Sequence, residues 1–145
     1  MKFNVETNGR YDFINITRLA QRAVEQGGLV DGLVMILALH TTCAITIMEW
    51  EEGIKQDIAE ALEKLAPQNS DYKHHLRWGD RNGAAHIKSA LMKPALTLPF
   101  EKSKMCLGQW QQIVLIDFDE KPRVREILIN CYGPTPRVIK KASSK

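Results

Sequence analysis

The chain has 145 residues, 44% of them hydrophobic, which is enough for one domain with its own core and too few for two. Its formal charge of +3 is concentrated at one end: the last twelve residues, PTPRVIKKASSK, hold Arg137, Lys140, Lys141 and Lys145 and no acid, so removing those four charges leaves −1 for 1–133. A near-neutral body disfavours a duplex-binding protein, and three scattered cysteines, Cys43, Cys106 and Cys131, make neither a disulfide framework nor a thiolate zinc site.

The start, MKFNVETNGR, alternates polar and apolar residues, which reads as a strand over 2–7 and not as a secretory signal. No apolar run approaches membrane-spanning length, so a soluble, cytoplasmic protein with reduced thiols is expected. One domain is expected over 1–133, with 134–145 a frayed, solubilising tail.

In NITRLAQRAVEQGG, Ile16, Leu19, Ala20, Ala23 and Val24 recur at helical spacing before the stop at Gly27-Gly28. Segments 32–40 and 43–48 read as strands joined by a turn too short for a parallel crossover, which predicts that they pair antiparallel. The apolar run from Leu33 halts at His40, Thr41 and Thr42, so an imidazole and two hydroxyls fall at that turn. A turn needs polar residues anyway, and a strand end opening onto a pocket needs the same ones.

WEEGIKQDIAEALEKLAP predicts a long helix with Trp50, Ile54, Ile58, Ala61 and Leu65 on one stripe. Asp57 falls within that stripe at ~100° per residue, which aims a carboxylate at or beside the interior. Residues 67–82 are rich in turn formers and charges and read as a loop long enough to carry function. NGAAHIKSALM then predicts a short helix with Asn82 as N-cap, and ALTLPF, MCLGQWQQIVLIDFD and RVREILINCY predict three further strands. The second should place Trp110, Val114, Ile116 and Phe118 on one face, and the last two should form a hairpin. The whole is an α+β fold of antiparallel, sandwich-like sheets with two longer helices and one short helix.

Three histidines sit at special places: His40 at a strand end, His74 or His75 in the long loop, and His86 at a helix start. Three neutral imidazoles can hold a zinc-like ion and leave a position open, although no H-E-x-x-H pattern is present and, on spacing alone, scattered polar histidines are the better explanation. A helix N-terminus beside His86, Lys88 and Ser89 suits an anion, and Thr41 and Thr42 can donate hydroxyls. Glu49 and Asp57 can accept protons or hold Mg²⁺ carried by a diphosphate.

HTTCAITIMEW, DYKHHLRWGDRNGAAHIKSAL and LGQWQQIVLIDFD together resemble the YjbQ-like proteins, uncharacterised protein family UPF0047, from about Val5 to about Tyr132. The family pattern H-T-[ST] falls on His40, the aromatic-x-His on Tyr72 and His74, and H-[IL]-K-S on His86, leaving His75 a bystander. The chain departs from the pattern at Met48, where the family has Asn, and at Gln109, where it has Thr.

The resemblance implies an α+β homotrimer with clefts near subunit contacts and a metal site of His40, His74 and His86, zinc being the first choice of ion. It implies catalytic roles for Glu49, Asp57 and Lys88, and substrate contacts from Thr41, Thr42, Ser89, Trp110 and Gln111. It also implies an anionic or phosphorylated substrate, with secondary thiamine-phosphate synthase activity, a transferase reaction that displaces diphosphate, as its most concrete form. The alternative is a module that binds a metal and a phosphometabolite without turnover. Nucleic-acid binding through the tail and Trp50, Trp78 or Trp110 is disfavoured, because those rings are better explained as core or interface.

Overall fold

The computed structural model describes residues 1–134, apart from the side chain of Trp78. The tail expected at 134–145 lies outside the described residues from position 135 onward, as does the Trp78 ring.

Among the described residues, eight strands form two antiparallel sheets. The larger has the order β1 (Lys2–Thr7), β8 (Arg123–Tyr132), β3 (Gly32–Ala38), β5 (Ala95–Glu101) and β6 (Lys104–Met105). The smaller has β2 (Asp12–Asn15), β7 (Gln111–Asp117) and β4 (Cys43–Glu49). Neither expected hairpin forms: β3 and β4 lie in different sheets, as do β7 and β8. The reason is that β3 and β7 are inner strands. β3 is flanked by β8 and β5, and β7 by β2 and β4, so neither has a free edge for its neighbour in sequence.

β7 shows how the layers stack. Ile113 and Leu115 enter a core shared with Val34, Ile36, Leu98, Phe100, Ile127 and Ile129 of the larger sheet, closed by Ala20, Ala23 and Val24 of helix α1 (Thr17–Gln26). Val114, Ile116 and Phe118 face the opposite way, as the two-residue period requires. They pack with Leu62 of α2 (Glu52–Leu65) and Ala85 of α4 (Gly83–Met92) in a second core. Trp110 is not on that face; it precedes the strand and is 67% exposed.

Helix α2 turns a different stripe inward from the one periodicity selects. Leu62 is buried and Ile58, Ala59 and Glu63 are half-buried, whereas Ile54 is 37% and Leu65 63% exposed, and Ala61 and Asp57 face outward with them. The expected inward carboxylate of Asp57 is therefore on the open side of this chain. Two overlapping apolar stripes run along the helix, and only packing chooses between them. The segment expected as a loop contains a fourth helix, α3 (Lys73–Trp78), stopped by left-handed Gly79. Six polar-rich residues are too few to show a period.

Candidate functional site

The site begins where β3 ends. In the β3–β8 ladder, Ala38 pairs with Ile127, which makes Leu39 and Glu126 the next rung. Leu39 N–H donates to the Glu126 carbonyl at 3.0 Å, but Glu126 N–H donates to His40 Nε2 at 2.8 Å. The imidazole thus supplies the acceptor for the last rung, and the chain is free to turn into the other sheet. That is a physical reason for an imidazole where the apolar run stops.

A cavity of about 490 Å³ opens there, lined by Leu39, His40, Thr41, Thr42 and Val124 with Asn82, His86, Asp119, Arg123 and Arg125. Its floor is a charge cluster that sequence reasoning missed. Arg125 donates from Nε and Nη2 to Asp117 at 2.7 and 2.6 Å, and Thr7 donates to the same carboxylate at 2.5 Å. Asp119 accepts from Thr42 at 3.0 Å and from Arg123 Nε and Nη2 at 3.2 and 3.3 Å. Burial resists ionisation of Asp119, but the hydrogen bonds from Arg123 and Thr42 and the two guanidinium charges outweigh it and hold the carboxyl below its ordinary range. Burial likewise works against the Arg125 charge, and Asp117 more than compensates. The signal for this cluster was in the sequence: D-F-D at the end of β7 and R-V-R at the start of β8 each space two charges two residues apart, which turns them to one side of an extended chain.

His40 and His86 are both held neutral. Burial lowers the His40 pKa first, and the Arg125 charge lowers it further. Burial also lowers that of His86, followed by the nearby His74, whose ring centroid is 4.5 Å away. His74 Nε2 lies 3.3 Å from Asp80 Oδ1. His75 is no bystander, because its Nε2 accepts from Gly83 N–H at 3.2 Å and ties α3 to the first turn of α4. A Cβ on Gly83 would stand 2.8 Å from Tyr72 Cβ, so the approach needs glycine. Asn82 occupies the N-cap position, yet its side chain makes no cap bond and its buried Oδ1 has no partner.

The other expected site residues lie elsewhere. Lys88 is 1% exposed, pairs with Glu63 at 3.0 Å and sits 4.8 Å from the centre of the Tyr11 ring, beneath α2 and away from the cavity lining. Ser89 donates to the Cys43 carbonyl at 2.7 Å, which ties α4 to β4. Glu49 and Gln111 are paired at the far end of β4 and β7 from Cys43 and Asp117, about 20 Å away at the usual rise of a strand. Trp110 adjoins them, and Gln111 Oε1 accepts from Gly108 N–H at 2.8 Å. Four of the expected site residues, His40, Thr41, Thr42 and His86, therefore line one cavity and His74 stands against His86 behind it, while Glu49, Asp57, Lys88, Ser89, Trp110 and Gln111 lie elsewhere.

The imidazoles do not fit a three-histidine ion site as they stand in one chain. Among the described residues, no group of three His, Cys, Asp or Glu is arranged to hold a metal. A neutral imidazole has one ring lone pair, and that of His40 already accepts the Glu126 N–H.

The sequence profile described as UPF0047 protein YjbQ-like matches residues 1–134. The chain belongs to the YjbQ-like UPF0047 family. A UPF0047 protein of Archaeoglobus fulgidus is 39% identical over 129 residues, covering 89% of this chain and 98% of that one. The UPF0047 protein YugU of Bacillus subtilis is 30% identical over 130 residues, covering 89% and 96%. Among solved structures, a YjbQ/UPF0047 protein of Clostridium acetobutylicum superposes with a TM-score of 0.83 at 34% identity, over 91% of this chain and 99% of that one. A hypothetical protein of Aeropyrum pernix gives a TM-score of 0.85 at 27% identity, over 92% and 98%. The α+β architecture with antiparallel sheets is thus that of the UPF0047 family. No helix among the described residues is long and apolar enough to cross a membrane.

Proposed function

We propose that the cavity binds a phosphorylated or otherwise anionic small molecule and that its histidines act on it. The observation that carries this reading is the lining itself: His40, Thr41, Thr42, Asn82, His86, Arg123 and Arg125 bring donors to one space against a single carboxylate, Asp119. Thiamine-phosphate synthesis is its most concrete form. There the thiazole nitrogen lone pair forms the new C–N bond, and the C–O bonding pair leaves with the diphosphate, with no proton moved. The donors of this wall would stabilise the departing negative charge, and magnesium brought in by a diphosphate would belong to the substrate.

Self-association as a homotrimer is part of the same proposal. Its support is the outward stripe of α2 with Ile54 and Leu65, together with exposed Trp50 and Trp110. A neighbouring copy offers the means to bring Glu49, Asp57, Trp110 and Gln111 to a cavity they do not reach in their own chain. A second reading, capture without turnover, is favoured by the same separation, since the cavity holds no free carboxylate of its own.

Incubating the protein with hydroxymethylpyrimidine diphosphate and thiazole phosphate, and following pyrophosphate release, tests the reading. Turnover that falls at least tenfold in Arg123→Gln and His86→Ala supports it. Tight retention of either substrate with no release supports capture alone, and neither binding nor release would remove both.

A further inference from the structure

His40 occupies a position that decides what kind of group it is. The ladder of β3 and β8 would continue with the Leu39 carbonyl receiving Glu126 N–H, and the ring nitrogen Nε2 takes that place at 2.8 Å. An imidazole that accepts through Nε2 is neutral with its proton on Nδ1. Turning the ring over would set a C–H against Glu126 N–H and leave the last rung without an acceptor. Nδ1 has no hydrogen-bond partner among the described residues. Nor is it buried: among the described residues the buried unpartnered side-chain atoms belong to Gln68, His75 and Asn82, so Nδ1 is accessible on a residue that lines the cavity.

We infer that His40 is a fixed Nδ1–H donor to an oxyanion of the ligand and not a metal ligand. The inference rests on the anionic-ligand reading above for the identity of the acceptor, and on the ladder alone for the tautomer. It assigns the ring lone pairs as follows. That of His40 is spent on β8, so of the two imidazoles lining the cavity only His86 can offer a lone pair to a proton or an ion. The ligand therefore meets a donor on the β3–β4 turn and an acceptor on α4, with Arg123 of β8 lining the same cavity.

The test uses the full chain, without a polyhistidine tag, in a long-range ¹H–¹⁵N spectrum at neutral pH, alone and then with inorganic phosphate or with Zn²⁺ as probes. The expected result is an Nδ1-protonated His40, a shift of its Nδ1 signal with phosphate, and no change in either His40 nitrogen with Zn²⁺. An Nε2-protonated ring, or His40 nitrogens that move with Zn²⁺ as those of a ligand do, would overturn the assignment. Two variants extend it. His40→Gln keeps both an acceptor for Glu126 and an amide donor, so phosphate affinity should stay within about threefold, whereas His40→Leu should lose about tenfold; zinc stoichiometry should equal wild type in both. Loss of bound zinc in His40→Gln would contradict the inference. Phosphate bound by wild type without any response at His40 sinks the donor role alone. Failure of wild type to bind phosphate at all sinks the anionic-ligand reading, while the tautomer and the zinc titration still judge whether His40 can ligate a metal.

Discussion

Arg125 grips Asp117 through two short hydrogen bonds of 2.7 and 2.6 Å, and both side chains are almost wholly buried, 3% and 0% exposed. The pair joins β8 of one sheet to β7 of the other, beneath the cavity. Removing one partner strands a charge away from water. Arg125→Leu is therefore expected to cost about 3–5 kcal/mol, while Asp117→Asn combined with Arg125→Leu should recover part of that loss. Urea unfolding of the single and double variants measures both. A single variant within 1 kcal/mol of wild type would show that the pair is not what joins the sheets.

The neutral histidines set an expected pH profile. His40 is lowered by burial and then Arg125, His86 by burial and then His74. Each binds a proton more weakly folded than unfolded, so their contribution is complete above about 6.5 and is lost as pH falls through their lower folded values. Asp119 and Glu63 are held low despite burial, Asp119 by Arg123 and Thr42, Glu63 by the Gln68 amide, Lys88 and Tyr11. Their contribution is present above about 4 and lost at more acid pH. Thermal melts should thus show Tm falling between pH 7 and 5 and again below 4. The first fall should be shallower in His40→Gln, whose amide does not titrate; an equal slope in both proteins would remove His40 from it.

Arg123 is the cavity cation whose loss should be felt more in binding than in folding. Its side chain is 46% exposed and holds Asp119 with two bonds of 3.2 and 3.3 Å. Asp119 is only 5% exposed but keeps its bond from Thr42 when Arg123 is replaced, so Arg123→Gln should lower Tm less than Arg125→Leu does. As the most accessible guanidinium of the cavity it should nonetheless be felt by phosphate, with Kd raised about tenfold in calorimetric titration. Unaltered phosphate affinity in a folded Arg123→Gln protein would place the anion elsewhere.

What could be read from the sequence was local. The strands over 2–7 and 95–100, the helix beginning after Asn82 and the polar turn at His40 each follow from periodicity or a stop signal, and the structure has them all, the second strand one residue longer. What could not be read was pairing. A period of two says that Val34 and Leu115 point inward, not which strand lies beside them, so both supposed hairpins failed against inner strands already flanked on each side. The same limit applies to the site. His40, Thr41 and Thr42 are contiguous and announce themselves, whereas Arg123 and Arg125 reach the cavity only because β8 returns beside β3. The paired spacing of D-F-D and R-V-R was the one local trace of that cluster.

The open stripe of α2 yields a prediction about assembly. Ile54 and Leu65 are 37% and 63% exposed, beside the buried Leu62 side of the helix and outside its core, so charges placed there should leave the core packed. Ile54→Lys with Leu65→Glu is expected to keep the wild-type Tm at high dilution while shifting sedimentation from an assembled species to monomer. A monomeric wild type, or an assembly indifferent to both substitutions, would leave the stripe without a partner.

Gly83 offers the sharpest contrast between local and tertiary preference. Alanine is favoured over glycine in helices by about 1 kcal/mol, so helix α4 taken alone should gain from Gly83→Ala. In the fold, that Cβ would lie 2.8 Å from Tyr72 Cβ and 3.0 Å from His75 Nε2. Neither can yield without releasing α3, because His75 is the acceptor for Gly83 N–H and Tyr72 donates its hydroxyl to the Pro67 carbonyl at 2.7 Å. Gly83→Ala should therefore leave the two cores folded and loosen α3, carrying His74 away from its 4.5 Å contact with His86. Faster tryptic cleavage after Lys73, and loss of the His74–His86 cross-peak in NMR, are the expected readings. Slower cleavage with a higher Tm would mean that helix propensity wins and that α3 is not seated through this contact.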